Sequence, residues 1–274
     1  MAISLLNNIT ALEAENQVNQ TDSSLQNVLV QLSSGSRLNS GADDPAGLSI
    51  ADSLQANITE LNQAANNANT GIGLLQTADG SLSQVTNLLD RAITIATEAA
   101  NGGPTSSQME ALNNEYTSIK AEIDRIGSQT TFNSTSVFTG STTSIFLGSA
   151  ANSIGVNINT LSSSVLSLSN TELWDGADTN TADAAAALTA INTAVSTIAQ
   201  DRGNIGATLN RLTDAQNVIN NQVTNLTSAE NLIQSANIPQ DVTEEAQYSV
   251  LEQTGISALS QANQATQAIL KLFQ

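Results

Sequence analysis

Residues 54–96 read LQANITELNQAANNANTGIGLLQTADGSLSQVTNLLDRAITIA, and every seventh residue of this stretch is apolar. The row consists of Leu54, Leu61, Ala68, Leu75, Leu82, Leu89 and Ala96. A second row with the same spacing follows in the other half of the chain: Ile191, Ile198, Ile205, Leu212, Ile219, Leu226 and Ile233. A seven-residue apolar repeat keeps one face of a helix against a partner over its whole length. At 1.5 Å per residue each row extends over roughly 63 Å, so the sequence predicts a rod of long helices.

The apolar face of the first long helix is wider than one row. We expect a second row at its side, formed by Ile58, Ala65, Ile72 and Ile93. If the row at 54–96 and the row at 191–233 bury their apolar side chains against each other, residues near 75 should meet residues near 212. The two halves of the chain then pack as an antiparallel pair.

Local signals mark where the helices begin and end. Asp43 or Asp44 is a good N-cap, and Pro45 suits the first turn of the helix that follows. The segment 101–104, NGGP, ends that helix. A third helix is expected to start at a capping-box pattern formed by Ser107 and Glu110.

The middle of the chain changes in character and predicts short strands. Within a Ser- and Thr-rich segment, residues 154–158 alternate apolar and polar positions and residues 144–147 include a short apolar run. We therefore predict a mainly α fold, an elongated antiparallel helical bundle or coiled coil with a small β-hairpin region and paired N- and C-terminal helices. The expected segments are 1–43 (terminal helix and connecting spoke), 44–128 (bundle helices), 129–180 (β-rich middle), 181–236 (second long bundle helix) and 237–274 (C-terminal helix).

The composition excludes several classes of function. The 274 residues include no Cys and no His, which removes the common ligands of zinc and haem and the commonest general base. The net charge of −18 repels phosphate backbones, so nucleic acid is not an expected partner. The sequence lacks a run of about 18 apolar residues that would insert into a membrane. The first residues show no cleavable signal peptide.

Carboxylates offer two weak candidate sites. Glu98, Glu110, Glu115 and Glu122 could be read as paired acid–base groups, but their helical spacing favours a solvated face. Asp175, Asp178 and Asp183 only faintly resemble a calcium loop, because the closing Glu is missing. We predict no catalytic, cofactor-binding or metal-binding residues, and hence no enzyme.

Four stretches resemble bacterial flagellins. They are LSSGSRLNSGADDPAGL at 32–48, EIDRI with QTTFN at 122–133, RGNIGA with NRL at 202–212, and QANQ with ILKLF at 261–273. The resemblance covers about 1–140 and 180–274. It implies a short flagellin without the outer variable domains, a structural subunit that polymerises into the flagellar filament for swimming motility.

The resemblance also implies partners and a location. A flagellin assembles with copies of itself into a helical homopolymer, and it meets an export chaperone, the filament cap and junction proteins. It leaves the cell by flagellar type III export without a cleaved signal peptide and is extracellular. A Toll-like receptor reads a patch in many flagellins, which here corresponds to Arg91, Ile95 and Glu115, although Asp90 replaces the usual amide.

The chain ends are the expected assembly surface. Residues 1–34 and 240–274 have little apolar surface, so we expect them to order only when they stack against neighbouring copies. The expected filament-core packing residues are Tyr248, Leu251, Gly255, Ala258, Ala262, Ala265, Ile269 and Leu272. A hook–filament junction protein and a secreted helical effector or adhesin remain as alternatives.

Overall fold

The computed structural model describes residues 8–148, 152–176 and 181–272, with side chains in the last helix described as far as residue 265. This part of the chain forms the helices α1 Ile9–Ser34, α2 Pro45–Ala99, α3 Ser106–Gln129, α4 Thr181–Gln234 and α5 Ile238–Leu272. Two antiparallel hairpins lie between α3 and α4, formed by β1 Thr131–Phe132 with β2 Thr135–Ser136, and by β3 Thr142–Phe146 with β4 Ser153–Asn157. The predicted mainly α class with a small β-hairpin region is confirmed.

The chain divides into two compact units. The terminal unit comprises Met1–Ile58 and Thr224–Gln274, and the central unit comprises Thr59–Val223. The main hydrophobic core, from Ala64 to Ile219, lies in the central unit.

The two predicted heptad rows form the core of the central unit. Their buried members are Ala68, Leu75, Leu82, Leu89, Ala96, Ile191, Ile198, Ile205, Leu212 and Ile219. The helices run antiparallel, because the Gln216 side chain donates to Asn69 Oδ1 at 2.8 Å and Arg202 Nε donates to Asp79 Oδ1 at 2.8 Å. The expected meeting of residues near 75 with residues near 212 is thereby confirmed.

The second row on α2 differs from the prediction. Ile58 is buried as expected, but Ala65, Ile72 and Ile93 are half-buried, and the row buried beyond it is instead Ala64, Gly71, Ala78, Val85, Ala92 and Ala99. Together with the first row it alternates steps of three and four residues, which is the spacing of a coiled-coil seam. Most members of this row are alanine or glycine, whose small size lets a neighbour approach closely. A Cβ on Gly71 would lie 3.0 Å from Ile145 Cγ1.

One helix start is as predicted and another is not. Asp44 Oδ1 accepts a hydrogen bond from the Gly47 backbone N–H at 2.9 Å, which confirms an N-cap before Pro45. The capping box of α3 uses Thr105 and Gln108, two residues before the predicted pair. Gln108 Oε1 accepts a hydrogen bond from the Thr105 backbone N–H at 2.8 Å. A glutamine can take this position of a capping box as well as a glutamate.

Polar tethers attach the middle segment to α3. The Tyr116 hydroxyl lies 2.7 Å from Thr171 Oγ1, and Lys120 Nζ donates to the Thr171 carbonyl at 2.8 Å. Asp124 accepts from the Ser163 backbone N–H at 2.6 Å and from its hydroxyl at 2.8 Å. Burial raises the pKa of Tyr116 and lowers the pKa of Lys120. These bonds hold an irregular segment closely against the central core.

Candidate functional site

The terminal unit is built on the pairing of α1 with α5. Asn8 Nδ2 donates to the Ala262 carbonyl at 3.2 Å, and Val18 Cγ2 lies 2.7 Å from where a Cβ on Gly255 would stand. Since residue numbers rise on one helix as they fall on the other, the pair is antiparallel. The predicted pairing of the terminal helices is confirmed.

The face of α1 toward its partner is thinly apolar. Its members alternate by three and four residues: Ala11, Ala14, Val18, Thr21, Leu25, Val28 and Leu32. Ala11, Thr21 and Val28 are buried, and the others are half-buried. Short side chains and a threonine provide much less buried apolar area than the rows of the central unit, so the pair gains little from hydrophobic burial.

The covered face of α5 is acidic. Its buried or half-buried members at coiled-coil spacing are Asp241, Glu245, Tyr248, Glu252, Gly255, Leu259 and Ala262. Residues 8–34 and 238–265 include no Lys or Arg, so these carboxylates have no basic partner within those two ranges. Asp241 is only 8% exposed, and among the described residues its Oδ2 has no hydrogen-bond partner. Burial without a partner opposes the pairing of the two helices.

The predicted filament-core residues occupy two faces of α5. Tyr248, Gly255 and Ala262 are half-buried on the side of α1, whereas Leu251, Ala258 and Ala265 are exposed. The side chains of Ile269 and Leu272 lie outside the described part. The sequence pattern does not predict that Glu245 and Glu252 also face α1, because a search for repeating apolar residues does not include charged ones.

Exposed apolar side chains are concentrated in the terminal unit. In the described residues they are Ile9, Leu12, Leu29, Val30, Ile50, Leu232, Ile238, Val242, Val250, Leu251 and Ile256. The larger central unit exposes Phe146, Val165 and Val218. Leu232 is the extreme case at 86% exposure. Such a concentration of apolar surface is typical of a protein–protein contact region. Sequence reasoning missed Leu232 and Val250, because neither belongs to a heptad row.

The spoke, residues 35–44, is tied to the connection between α4 and α5. The Arg37 backbone N–H donates to the Gln234 carbonyl at 2.7 Å, and its guanidinium donates to the Ile233 carbonyl at 2.9 Å. The Ala236 N–H donates to the Gly35 carbonyl at 3.1 Å, where Gly35 has a φ of 67°. These bonds satisfy the last carbonyls of α4 and fix the turn that leads into α5.

The predicted receptor patch is part surface and part core. Arg91 Nε donates to Glu115 Oε1 at 2.7 Å, and both side chains are exposed. This bond raises the pKa of Arg91. Ile95 is 1% exposed and belongs to the hydrophobic core. The structure therefore presents the ion pair at the surface and buries Ile95.

The glutamates form no reactive cluster. Glu122 binds Arg125 across one helical turn, Glu115 binds Arg91, and Glu98 and Glu110 are exposed. Within the described ranges, no three carboxylate side chains are gathered so that they could hold a metal ion. Asp178 of the weak calcium-loop candidate falls outside them. None of the described helices has the length and apolar character needed to cross a membrane.

The geometry defines a class of protein. A well-packed helical unit is joined to a weakly packed helix pair that exposes many apolar side chains. This arrangement is typical of a structural subunit that is completed by contact with other chains.

Comparisons with known proteins identify the family. Residues 5–143 match the bacterial flagellin N-terminal helical region, and residues 188–273 match the bacterial flagellin C-terminal helical region. A flagellin of Halalkalibacterium halodurans is 32% identical over 97% of this chain and 98% of its own length. A flagellar filament 33 kDa core protein of Treponema phagedenis is 30% identical over the same shares. The crystal structure of Bacillus cereus flagellin matches with a TM-score of 0.50 and 29% identity, over 60% of this chain and 94% of that one.

The chain belongs to the bacterial flagellin family. It is a structural subunit of the extracellular flagellar filament, which serves motility, and it is not an enzyme. Full-length similarity to flagellins decides against the junction-protein and effector alternatives.

Proposed function

We propose that the two units divide the work of the filament subunit. The central unit maintains the fold of the monomer, and the terminal unit supplies the polymerising surface. The observation that carries this proposal is the concentration of exposed apolar side chains in the terminal unit beside a thin, acidic α1–α5 seam. In this proposal, the filament core consists of the segments 1–43 and 237–274. The surrounding bundle consists of the segments 44–128, 129–180 and 181–236.

The second face of α5 provides the contacts between copies. Leu251, Ala258 and Ala265 recur every seven residues and are exposed, beside the face of the helix that meets α1. A helix with apolar rows on two sides suits a layer in which it packs against more than one neighbour. A contact that joins different surfaces of successive copies does not close on itself and generates an open helical filament.

A matched pair of substitutions tests the division of work. Leu251→Asp places a charge on the exposed row of α5, and Val218→Asp places one at a similarly exposed apolar position of the central unit. We expect the first variant to lose filament formation and the second to retain it, as seen by electron microscopy after seeding. Circular dichroism checks that both monomers keep their helices. Filaments of normal yield from the Leu251 variant contradict the proposal.

Because the chain is a flagellin, we also propose that it meets an export chaperone, a filament cap and junction proteins. The exposed apolar side chains of α5, Val250, Leu251 and Ile256, require cover before assembly, which supports a chaperone that holds this helix until export. The cap and junction proteins then meet the same surface at the two ends of the filament. Export without a cleaved signal peptide is tested by sequencing the N-terminus of the protein in isolated filaments. Loss of the first residues up to a fixed site contradicts it.

Binding to a Toll-like receptor is a second proposal, favoured by the exposed pair of Arg91 and Glu115. Asp90, also exposed, adds a negative charge beside it. We expect Arg91→Ala to lower receptor signalling by the monomer, and Asp90→Gln to raise it. Arg125→Ala, which breaks the exposed pair of Arg125 with Glu122, is the matched control. A parent protein that gives no signal in receptor-bearing cells overturns this proposal and leaves filament assembly unaffected.

A further inference from the structure

Asn101 and Gly102 form the single Asn-Gly pair of the chain, in the turn between α2 and α3. Both residues are exposed. The Asn101 backbone N–H donates to the Glu98 carbonyl at 3.2 Å. Neither the side-chain amide of Asn101 nor the backbone N–H of Gly102 has a hydrogen-bond partner in the part of the chain that the structure describes. The two groups that would react with each other are therefore both unrestrained.

We propose that Asn101 is a site of spontaneous deamidation. The backbone nitrogen of Gly102 attacks Cγ of Asn101 and forms a new C–N bond, the bond to the side-chain nitrogen breaks, and ammonia leaves with the proton of the attacking amide. Water then opens the five-membered succinimide at one of its two carbonyls. The products are aspartate and isoaspartate, and the sum of the steps is one water consumed and one ammonia released.

Gly102 favours this reaction for two reasons. It has no Cβ to hinder the approach of its nitrogen to the side-chain carbonyl, and it adopts many backbone conformations at low cost. Its φ is 62°, and an added Cβ would find just Thr181 Cγ2, at 3.8 Å. The turn thus has room for the cyclic intermediate.

Other asparagines are held more firmly. Asn113 Oδ1 accepts from the Leu173 backbone N–H at 3.0 Å, and Asn39 Nδ2 donates to the Ser36 carbonyl at 2.8 Å. Within helices the backbone N–H of the following residue is committed to the residue four positions earlier. Asn113 and Asn114 lie in α3 and provide comparisons within the same region.

The product changes the end of α2. A new carboxylate appears beside Glu98, near the helix C-terminus, where negative charge is unfavourable. Isoaspartate also lengthens the backbone of the turn by one carbon. Since the reaction begins once the chain exists and needs no enzyme, the fraction converted records the age of a subunit.

The test follows conversion in the folded, full-length protein by mass spectrometry during incubation at neutral and mildly alkaline pH. Trypsin cleaves after Arg91 and Lys120, which places Asn101, Asn113 and Asn114 in one peptide. We expect Asn101 to convert on the order of tenfold faster than the other two, because glycine alone leaves the attacking nitrogen unhindered. We also expect Asn101 to convert faster at higher pH, because the nucleophile is the deprotonated backbone amide of Gly102.

Variants define the outcomes. Asn101→Gln should abolish conversion, and Gly103→Ala, whose Cβ meets no atom within 4 Å, should leave the rate unchanged. Circular dichroism confirms that each variant is folded. Conversion of Asn101 no faster than Asn113, or conversion that occurs only after denaturation in urea, overturns the proposal.

Discussion

Single carboxylates stabilise the connecting segments of this flagellin through backbone hydrogen bonds. Asp43 Oδ2 accepts from the backbone N–H groups of Ser40 at 2.8 Å and of Asn39 at 3.0 Å. These donors, with Ser40 the stronger influence, lower the pKa of Asp43 below its usual value of 3.8. Because the ionised form is favoured by folding, its contribution is present above that value and is lost as the pH falls through the lower pKa of the folded state.

Substitution of Asp43 tests this assignment. We expect Asp43→Ala to lower the thermal midpoint at neutral pH, and the difference from the parent protein to shrink as the pH falls below 3.8. Thermal unfolding followed by circular dichroism at a series of pH values gives the measurement. A difference that stays constant down to the lowest pH contradicts the role of the ionised carboxylate.

At the scale of helices, small residues set how closely elements approach. Gly255 lies on α5 where a Cβ would come within 2.7 Å of Val18 Cγ2, whereas a Cβ on Gly203 of α4 would meet nothing within 4 Å. Alanine in place of a helical glycine favours the helix by about 1 kcal/mol. The two positions therefore share the same propensity gain and differ in steric cost.

This difference predicts opposite effects on stability. Gly203→Ala should stabilise the monomer by up to about 1 kcal/mol, whereas Gly255→Ala should lose that gain and weaken the α1–α5 pair through overpacking of about 1–3 kcal/mol. Urea unfolding and the protein concentration needed for filament growth report the two effects. Val18→Ala should rescue the Gly255 variant. Equal stabilisation by both alanines contradicts the close approach.

The contrast between the two units also predicts their dynamics. Backbone amides of α1 and α5 should exchange with deuterium faster in the monomer than those of α3 and of the central parts of α2 and α4, because their seam buries less apolar surface. Exchange followed by mass spectrometry of peptides measures this directly. In filaments the protection of α1 and α5 should rise. If α1 and α5 were as well protected in the monomer as the helices of the central unit, this would contradict the expectation that the ends order on assembly.

Large apolar residues were enough to predict the long helices and their antiparallel register. The apolar pattern of the sequence does not predict the buried row of Ala64, Gly71 and Ala78, because alanine and glycine are common on exposed helix faces too. It does not predict the acidic row of α5 for a different reason. The burial of Asp241 and the partial burial of Glu245 depend on tertiary packing, which no local pattern specifies.

Over the whole molecule, the net charge of −18 opposes assembly. Seven basic residues are set against 25 acidic ones, and the α1–α5 pair contributes carboxylates such as Glu13 and Glu15 without basic partners in residues 8–34. Stacking of copies brings these like charges together. Screening shortens their reach from about 10 Å at 0.1 M salt to about 3 Å at 1 M.

Salt should therefore accelerate filament growth. We expect the rate of seeded growth to rise between dilute and molar salt, and the dependence on salt to weaken when Glu13 and Glu15 are replaced by Gln. Glu110→Gln, an exposed change in the central unit, is the control that should retain the full dependence. Light scattering records the growth. A rate that is unchanged or lower at high salt contradicts the electrostatic account.

The unbroken alternation of buried residues from Ala64 to Ala99 has a consequence for how such a chain can change its length. Inserting or deleting a few residues in α2 would rotate everything beyond the change off the seam, because each residue turns the helix by a fixed angle. A tolerated change comes in steps of seven residues, about 10.5 Å along the axis, and requires the same step in α4. Natural length variants of this unit should thus be spaced by whole heptads and occur in matched pairs.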